Sequence, residues 1–312
     1  MEILVSIIVP NYNHFLFLQK RLDSIFNQTF QNFEVIILDD ASTDESLELL
    51  NKIKNHQKVS HFIINKLNSG SPFIQWKKGL ALAKGKYIWI AESDDSCELT
   101  FLEKTVKILE ENREVSLVFT NSVLQNLLSS KSNTLTSSQS TGIYNSTENK
   151  FLYNWFFNHS NFRIANASSC VFRLSYISED MIMQISNYRY AGDKLFWSSL
   201  LVRFPNFGYI SEPLNIHTFH KNTTRSIVTK QTNYIRNKEV LSIYDFCDFS
   251  TISNYSAGWQ REYGSRLLLS FLFNLLLFKK FKGKDLYNGL KIVKFNFEVW
   301  KKIYRAILLP NR

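Results

Sequence analysis

The stretch Tyr87-Ile88-Trp89-Ile90-Ala91-Glu92-Ser93-Asp94-Asp95 decides how the rest of the chain is read. Its first five residues are apolar, with aromatic and β-branched side chains alternating twice. Such a run suits a strand buried on both faces in a parallel sheet. Glu92, Asp94 and Asp95 follow at once. In open α/β sheets, ligands bind outside the carboxyl ends of strands. Carboxylates crowded there repel one another unless a proton or cation intervenes. A hard divalent ion, held by oxygens and shared with a diphosphate, satisfies that requirement. The plainer alternative is an acidic turn opening the next helix, with Ser93 or Asp95 as its cap.

Working outward, Val5-Ser6-Ile7-Ile8-Val9-Pro10 reads as a first strand, and Asn11-Tyr12-Asn13 as the loop after it. Residues 15–27 carry Leu18, Leu22, Ile25 and Phe26 at helical spacing. Residues 33–38 read as a second buried strand ending in Asp39-Asp40. Ala41-Ser42-Thr43-Asp44 then opens a helix, with Ser42 or Thr43 as cap. A third strand is expected over 60–65 and a helix over 72–83, closed by Lys84-Gly85. Beyond the central strand, a helix over 100–111 and a strand over 116–120 continue the alternation. That alternation argues for a parallel, doubly wound α/β sheet. Residues 125–149 turn rich in Ser, Thr and Asn and read as a loop or flap. A strand over 167–172 follows, then Gly192-Asp193 leading into an apolar helix. Residues 207–210 and 214–219 read as two closing strands, separated by Glu212-Pro213.

The chain has 312 residues and 45% hydrophobic content, enough for a core and against wholesale disorder. Cys97, Cys170 and Cys247 are widely spaced and suit a reducing cytosol, with neither a disulfide framework nor a zinc site. No basic leader precedes the first strand, so no signal peptide is expected. No apolar run reaches the ~18 residues of a spanning helix. The charge is uneven: residues 221–312 hold 17 Lys and Arg against 6 Asp and Glu. A catalytic domain over 1–220 and a basic, aromatic-rich helical extension over 221–312 are therefore expected. Residues 267–278 are almost wholly apolar and are followed by Lys279-Lys280-Phe281-Lys282-Gly283-Lys284. The extension reads either as a hairpin packed on the core or as a contact with an anionic membrane surface. No nucleic-acid module is present, and nucleic acid is not an expected partner.

Four pieces in order resemble the family 2 glycosyltransferases of GT-A fold. They are Val5-Ser6-Ile7-Ile8-Val9-Pro10-Asn11-Tyr12-Asn13, Asp39-Asp40-Ala41-Ser42-Thr43-Asp44, Ala83-Lys84-Gly85-Lys86-Tyr87-Ile88 and Glu92-Ser93-Asp94-Asp95. Gly192-Asp193 before an apolar helix fits the same pattern, and the resemblance covers roughly residues 4 to 220. It implies a nucleotide site at Pro10, Tyr12, Asp40 and Ser93. It implies Mg2+ or Mn2+ at Asp94 and Asp95, and a general base at Asp193. His217 or His220 lies where relatives place a residue touching the diphosphate or metal. The residues alone leave caps open for Asp40 and Asp193. Glu92 stands where the family often has Asp, and Gly192 where many relatives have an acid. Where many relatives have Ala-Arg-Asn, this chain has Pro72-Phe73-Ile74-Gln75-Trp76-Lys77-Lys78, and the two lysines read as a solvated face.

The resemblance implies an inverting, metal-dependent transferase. It would move a sugar from a nucleoside diphosphate, UDP foremost, to a glycan or lipid-linked acceptor in cell-surface polysaccharide synthesis. The expected location is the cytoplasm, peripheral at the inner face of the membrane. A non-catalytic sugar-nucleotide or surface-binding protein is the alternative. A sugar nucleotidyltransferase is disfavoured because Asn11-Tyr12-Asn13-His14 has no glycine-rich triphosphate loop.

Overall fold

The computed structural model describes residues 2–135, 137–148, 151–156, 162–221, 229–247, 265–266 and 268–269. In chain order the strands and helices begin β1 (Val5–Asn11), α1 (Phe15–Phe26), β2 (Phe33–Asp39), α2 (Ser46–Ile53), β3 (Val59–Ile64), α3 (Pro72–Leu82) and β4 (Tyr87–Ile90). They continue β5 (Ser96–Cys97), α4 (Phe101–Glu111), β6 (Leu117–Asn126), β7 (Lys131–Thr134), β8 (Gly142–Asn145) and α5 (Phe151–Phe156). The last are β9 (Cys170–Arg173), α6 (Glu179–Ser186), α7 (Gly192–Arg203), β10 (Asn206–Phe219) and α8 (Lys230–Cys247).

All of β1, β2 and β4 is buried, as continuous apolar runs require in a sheet covered on both faces. Alternate residues feed opposite layers. Ile8, Ile36 and Ile90 pack with Trp76 of α3 and Phe196 of α7. Ile7, Val35 and Trp89 pack on the other side with Leu22 of α1 and Phe101 of α4. The main path through the sheet runs β3-β2-β1-β4-β9-β6-β10-β5, with β7 on β6 and β8 on β10. The β3-β2-β1-β4 half is parallel, and β10 runs parallel to β6. The α/β class and the largely parallel sheet agree with the expectation.

The later half departs from it. β9 is antiparallel to both of its neighbours, β4 and β6, in the middle of the sheet. The stretch read as a loop holds the end of β6 together with β7 and β8, each antiparallel to its partner. The two closing strands are one strand, β10, with a register shift between Ile210 and Asn215 where Glu212-Pro213 falls. Neither Ser42 nor Thr43 caps α2, which begins after Glu45. Gly85 is no helix cap either, since α3 ends at Leu82 with Ala83 as its cap. Its amide donates to the Ser6 hydroxyl at 2.8 Å, and a Cβ there would lie 2.5 Å from the Ser6 amide. Gly85 is thus required by close approach of two backbones.

From the C-terminal segment, α8 lays Val240 and Ile243 into the same core as α6 and α7. Residues 270–312, with the expected lysine-rimmed helical hairpin, lie outside the described residues. Among the described residues no helix is long and apolar enough to cross a membrane.

Candidate active site

The parallel register brings the ends of β1, β2 and β4 to one edge, pairing Asn11 with Asp39 and Ile8 with Ile90. Asp39 does not face ligand. It accepts from the Ser42 amide, the Ser42 hydroxyl and the Asn11 amide group, tying β1 to β2. Ala41 is held at φ +63°, the left-handed region that costs most side chains about 1–2 kcal/mol. Asp40 therefore turns the other way. Its Oδ1 accepts from Asn65, the Ser69 amide and Gln75, and its Oδ2 from the Ser69 hydroxyl at 2.8 Å. It caps no helix. Only one of those bonds falls on Oδ2, which leaves acceptor capacity on an oxygen of a cavity-lining residue.

A cavity of about 1030 Å³ opens beyond these strand ends. Pro10, Tyr12, Asp40, Asp94, Asp95 and Asp193 all line it, so six of the expected site residues converge from across the chain. Asp193 lies in the first turn of α7 and is not its cap; that position is Ala191. Gly192 is buried against α3, where a Cβ would sit 2.7 Å from the Phe73 ring. This packing accounts for the missing acid before Asp193.

The carboxylates of the central motif divide their work. Asp94 Oδ2 lies 3.1 Å from His220 Nε2 and 3.9 Å from His14 Nε2. Burial pushes Asp94 upward, but the flanking His14 and His220 outweigh it and hold the carboxyl at about 2. Asp95, expected as a second metal ligand, is turned into the protein. Its oxygens accept from Asn166 at 2.5 Å, the Ser168 hydroxyl at 2.6 Å and the Thr218 amide at 3.1 Å. Nor does it cap a helix, because β5 follows. Glu92 accepts from the Trp76 indole at 2.9 Å, and burial with the neighbouring Asp94 raises it to about 8. Ser93, expected at the nucleotide, is fully buried and bonded to His14 Nδ1 at 2.8 Å. Lys77 and Lys78 are exposed, contacting Met183 and Asn65. His217 lines the cavity, while His220 is buried behind Asp94.

Residues 6–172 match the family described as Glycosyl transferase family 2. The chain belongs to that family. An uncharacterised glycosyltransferase of Haemophilus influenzae is 31% identical over 239 residues, 74% of this chain and 70% of that one. A poly(ribitol-phosphate) beta-glucosyltransferase of Bacillus spizizenii is 39% identical over 93 residues, 29% of this chain and 15% of that one. Among solved structures, S. aureus TarS 1–349 in complex with UDP-GlcNAc superposes with a TM-score of 0.61 at 17% identity, covering 96% and 92% of the two chains. The mannosyltransferase PcManGT of Pyrobaculum calidifontis, in complex with GDP-Man and Mn2+, gives 0.54 at 14% identity, covering 97% and 84%. These likenesses establish the GT-A fold.

Two features of this glycosyltransferase were not read from its sequence. The first is His14. With Asp94 and His220 it forms a cluster whose ligand atoms all lie within 4.8 Å of one another. One ring nitrogen of His14 bonds Ser93 while the other points at Asp94, the arrangement that orients metal-binding histidines. Burial pulls the His14 pKa down and so favours the neutral ring, the form that ligates. A divalent cation therefore fits this donor set. The second feature is Arg21, fully buried in α1 beneath the motif. It donates to the Glu92 carbonyl at 2.9 Å and reaches within 4.0 Å of Asp95. The available signal was a charge on the apolar stripe of Leu18, Leu22 and Ile25. A lone His after Asn13 carried no such signal.

Proposed function

We propose that the protein transfers a sugar from a nucleoside diphosphate to an acceptor hydroxyl with inversion, supported by a divalent cation. The observation that carries this reading is the convergence of Asp40, His14, Asp94 and Asp193 on one cavity, with His220 buried against Asp94. Tyr12 is 43% exposed beside Pro10, placed for a nucleobase to lie against it. Asp40 Oδ2 is suited to accept from a base N–H or ribose hydroxyl. His14, Asp94 and His220 would hold the cation, and when bound it neutralises charge on the diphosphate. Two imidazoles with one carboxylate favour Mn2+ over Mg2+, which prefers oxygen ligands. Asp95 supports this motif from within. Asp193 takes the proton from the acceptor hydroxyl. The acceptor oxygen bonds the anomeric carbon as the bond to the diphosphate breaks. The leaving group departs with the electron pair, and the configuration inverts.

UDP is the donor class favoured here, since the TarS structures hold UDP and UDP-GlcNAc. Transfer to a polymer in cell-surface synthesis is the acceptor reading favoured here, in keeping with one relative named a poly(ribitol-phosphate) beta-glucosyltransferase. Thermal-shift titration with UDP, GDP and CDP, with and without Mn2+, tests the donor half. One nucleotide should raise the midpoint only with Mn2+, and Asp94→Ala should abolish the rise. Asp193→Asn should lower transfer by roughly 100-fold or more with nucleotide affinity within a few-fold. Unchanged transfer in that variant would refute the base assignment. We also infer that the lysine-rich C-terminal segment meets anionic membrane; equal sedimentation with neutral and anionic vesicles would refute it.

A further inference from the structure

α3 brings two consecutive side chains to two acids of the cavity. Trp76 donates its indole N–H to Glu92 beyond β4, and Gln75 donates to Asp40 beyond β2. The helix is lodged hard against the sheet where it does so. Gly79 lies four residues after Gln75 and so on the same helix face, and a Cβ there would stand 2.4 Å from Cγ2 of Ile8 in β1. That close approach fixes the distance between α3 and the strand that carries Pro10 and leads to Tyr12.

Gln75 is 2% exposed and makes its bonds with one end only. Its Nε2 donates to Asp40 Oδ1 at 2.8 Å and to the Ser69 hydroxyl oxygen at 3.0 Å. The amide cannot be reversed, because its oxygen would then face the Asp40 carboxylate. Oε1 is left buried with no hydrogen-bond donor among the described residues. A buried acceptor left without a donor costs more than an ordinary hydrogen bond returns. Folding alone is served as well by an apolar side chain of the same length. What the amide adds is direction. The Ser69 hydroxyl has one proton and two acceptors in reach, Asp40 Oδ2 at 2.8 Å and the Ser71 carbonyl at 3.2 Å. By donating to Ser69 Oγ and Asp40 Oδ1 at once, Gln75 ties the hydroxyl to the carboxylate and holds the carboxylate plane. The spare acceptor capacity of Oδ2 then stays in one place.

We propose that Gln75 is a positioning residue for nucleotide binding, which sets the affinity of the cavity for the nucleoside by orienting Asp40. It acts through that carboxylate and not by direct contact. The proposal rests on the nucleotide reading of Asp40 and adds the residue on which that reading depends.

The test is isothermal titration calorimetry of the full chain with UDP, GDP and CDP in the presence of Mn2+, continued with the nucleotide that the wild type binds best. Gln75→Met keeps the length of the side chain but has no donor. Gln75→Glu keeps its shape but sets a second carboxylate against Asp40. At neutral pH, Kd should rise about ten-fold in Gln75→Met and further in Gln75→Glu. Lys77→Met, on the exposed side of the same helix, should change it less than about two-fold. The urea midpoint of Gln75→Met should be no lower than that of the wild type, since the unpaired oxygen is gone. A Kd within about two-fold of wild type in Gln75→Met overturns the proposal. Equal Kd values for Gln75→Met and Gln75→Glu, or an equal loss in Lys77→Met, do so too. A fall in midpoint accompanying the loss of affinity makes the residue structural and has the same consequence. Each of these results leaves the transferase reading standing. A wild type that binds none of the three nucleotides would instead strike that reading itself.

Discussion

The two walls of the cleft are built on different principles. On the strand-end wall, Asp39, Asp40 and Asp95 are nearly or wholly buried, and backbone amides and neutral side chains hold them, with the buried Arg21 beside Asp95 as well. On the helical wall, Arg189 is exposed and Arg163, Lys194 and Arg236 are half-buried. Residues of the first kind position one another through strand register, so a change there is felt first as lost stability. Those of the second kind lie off the strand register, Arg163 ahead of β9, Arg189 in the turn before α7, Lys194 on α7 and Arg236 on α8, so a change there is felt as altered substrate choice. Substitutions in each wall test this division.

Arg21 is the most demanding case. Removing one partner of a buried charge pair leaves the other uncompensated, which costs about 3–5 kcal/mol. Arg21→Met keeps the apolar stem that lies by Trp89, where the guanidinium sits 5.4 Å from the ring centroid, but deletes the charge beside Asp95. We expect about 3 kcal/mol lost in urea unfolding. A loss below about 1 kcal/mol would mean that hydrogen bonds alone sustain the strand-end wall.

The next effect belongs to the helical wall, at Glu239. Glu239 of α8 accepts from the amides of Arg189, Tyr190 and Ala191 at 2.7, 2.9 and 2.8 Å, satisfying donors ahead of the turn that carries Asp193. Glu239→Ala should cost about 2 kcal/mol of stability. As a positioning residue, Glu239 should affect kcat for transfer while KM for the donor stays near the wild-type value, and Glu239→Gln should restore most of kcat. Equal losses in kcat for Ala and Gln variants would assign the effect to charge and not to position.

The contrast between walls also explains what the sequence disclosed. β1, β2 and β4 are continuous apolar runs, and the acids at their ends could be seen without coordinates. β7 is fully exposed and polar, so no burial pattern marked Lys131–Thr134 as a strand. The reversed direction of β9 could not be read, because an apolar run is the same in either direction. That reversal matters, for Asn166 and Ser168 in the turn before β9 are what hold Asp95 inward. Asp40, Asp94 and Asp193 were legible as acids at strand and helix ends. His14 was not, because its role depends on the fold bringing the start of α1 to Ser93 and Asp94, beyond the end of β4. Arg163, Arg189, Lys194, Arg236 and Arg266, which also line the cavity, were missed because they are scattered over about a hundred residues.

At the far end of the same strands, Glu34 offers a pH-dependent comparison. Its Oε1 accepts from the Ser6 hydroxyl at 2.6 Å and the Lys84 amide at 2.9 Å. Burial pushes its pKa up, but the hydrogen bonds from Ser6, Ser60 and Lys84 outweigh that and set it below the ordinary 4.5. A carboxyl depressed in the folded state gives stability that is present above its unfolded pKa and lost as pH falls through the folded one. Glu34→Gln should therefore cost about 1 kcal/mol near pH 7 and little once Glu34 is protonated. Unfolding midpoints of both proteins, followed downward from pH 6, should converge. Parallel curves would show that the latch is not ionic.

The smallest expected effect is a gain, and it decides between two opposing contributions at Ala41. This residue stands at φ +63° in the turn that separates inward Asp39 from cleft-facing Asp40. Relief of left-handed strain by Ala41→Gly favours the variant by about 1–2 kcal/mol. Greater freedom of glycine in the unfolded chain opposes it by about 0.4–1 kcal/mol. The balance is a stabilisation of about 0.5 kcal/mol, since the four hydrogen bonds on Asp40 stay intact and hold the turn in either variant. Urea midpoints resolve it if the slope is unchanged. A destabilised variant would mean that the Ala41 methyl group contributes packing on the strand-end wall, and that the wall is held by contact as well as by register.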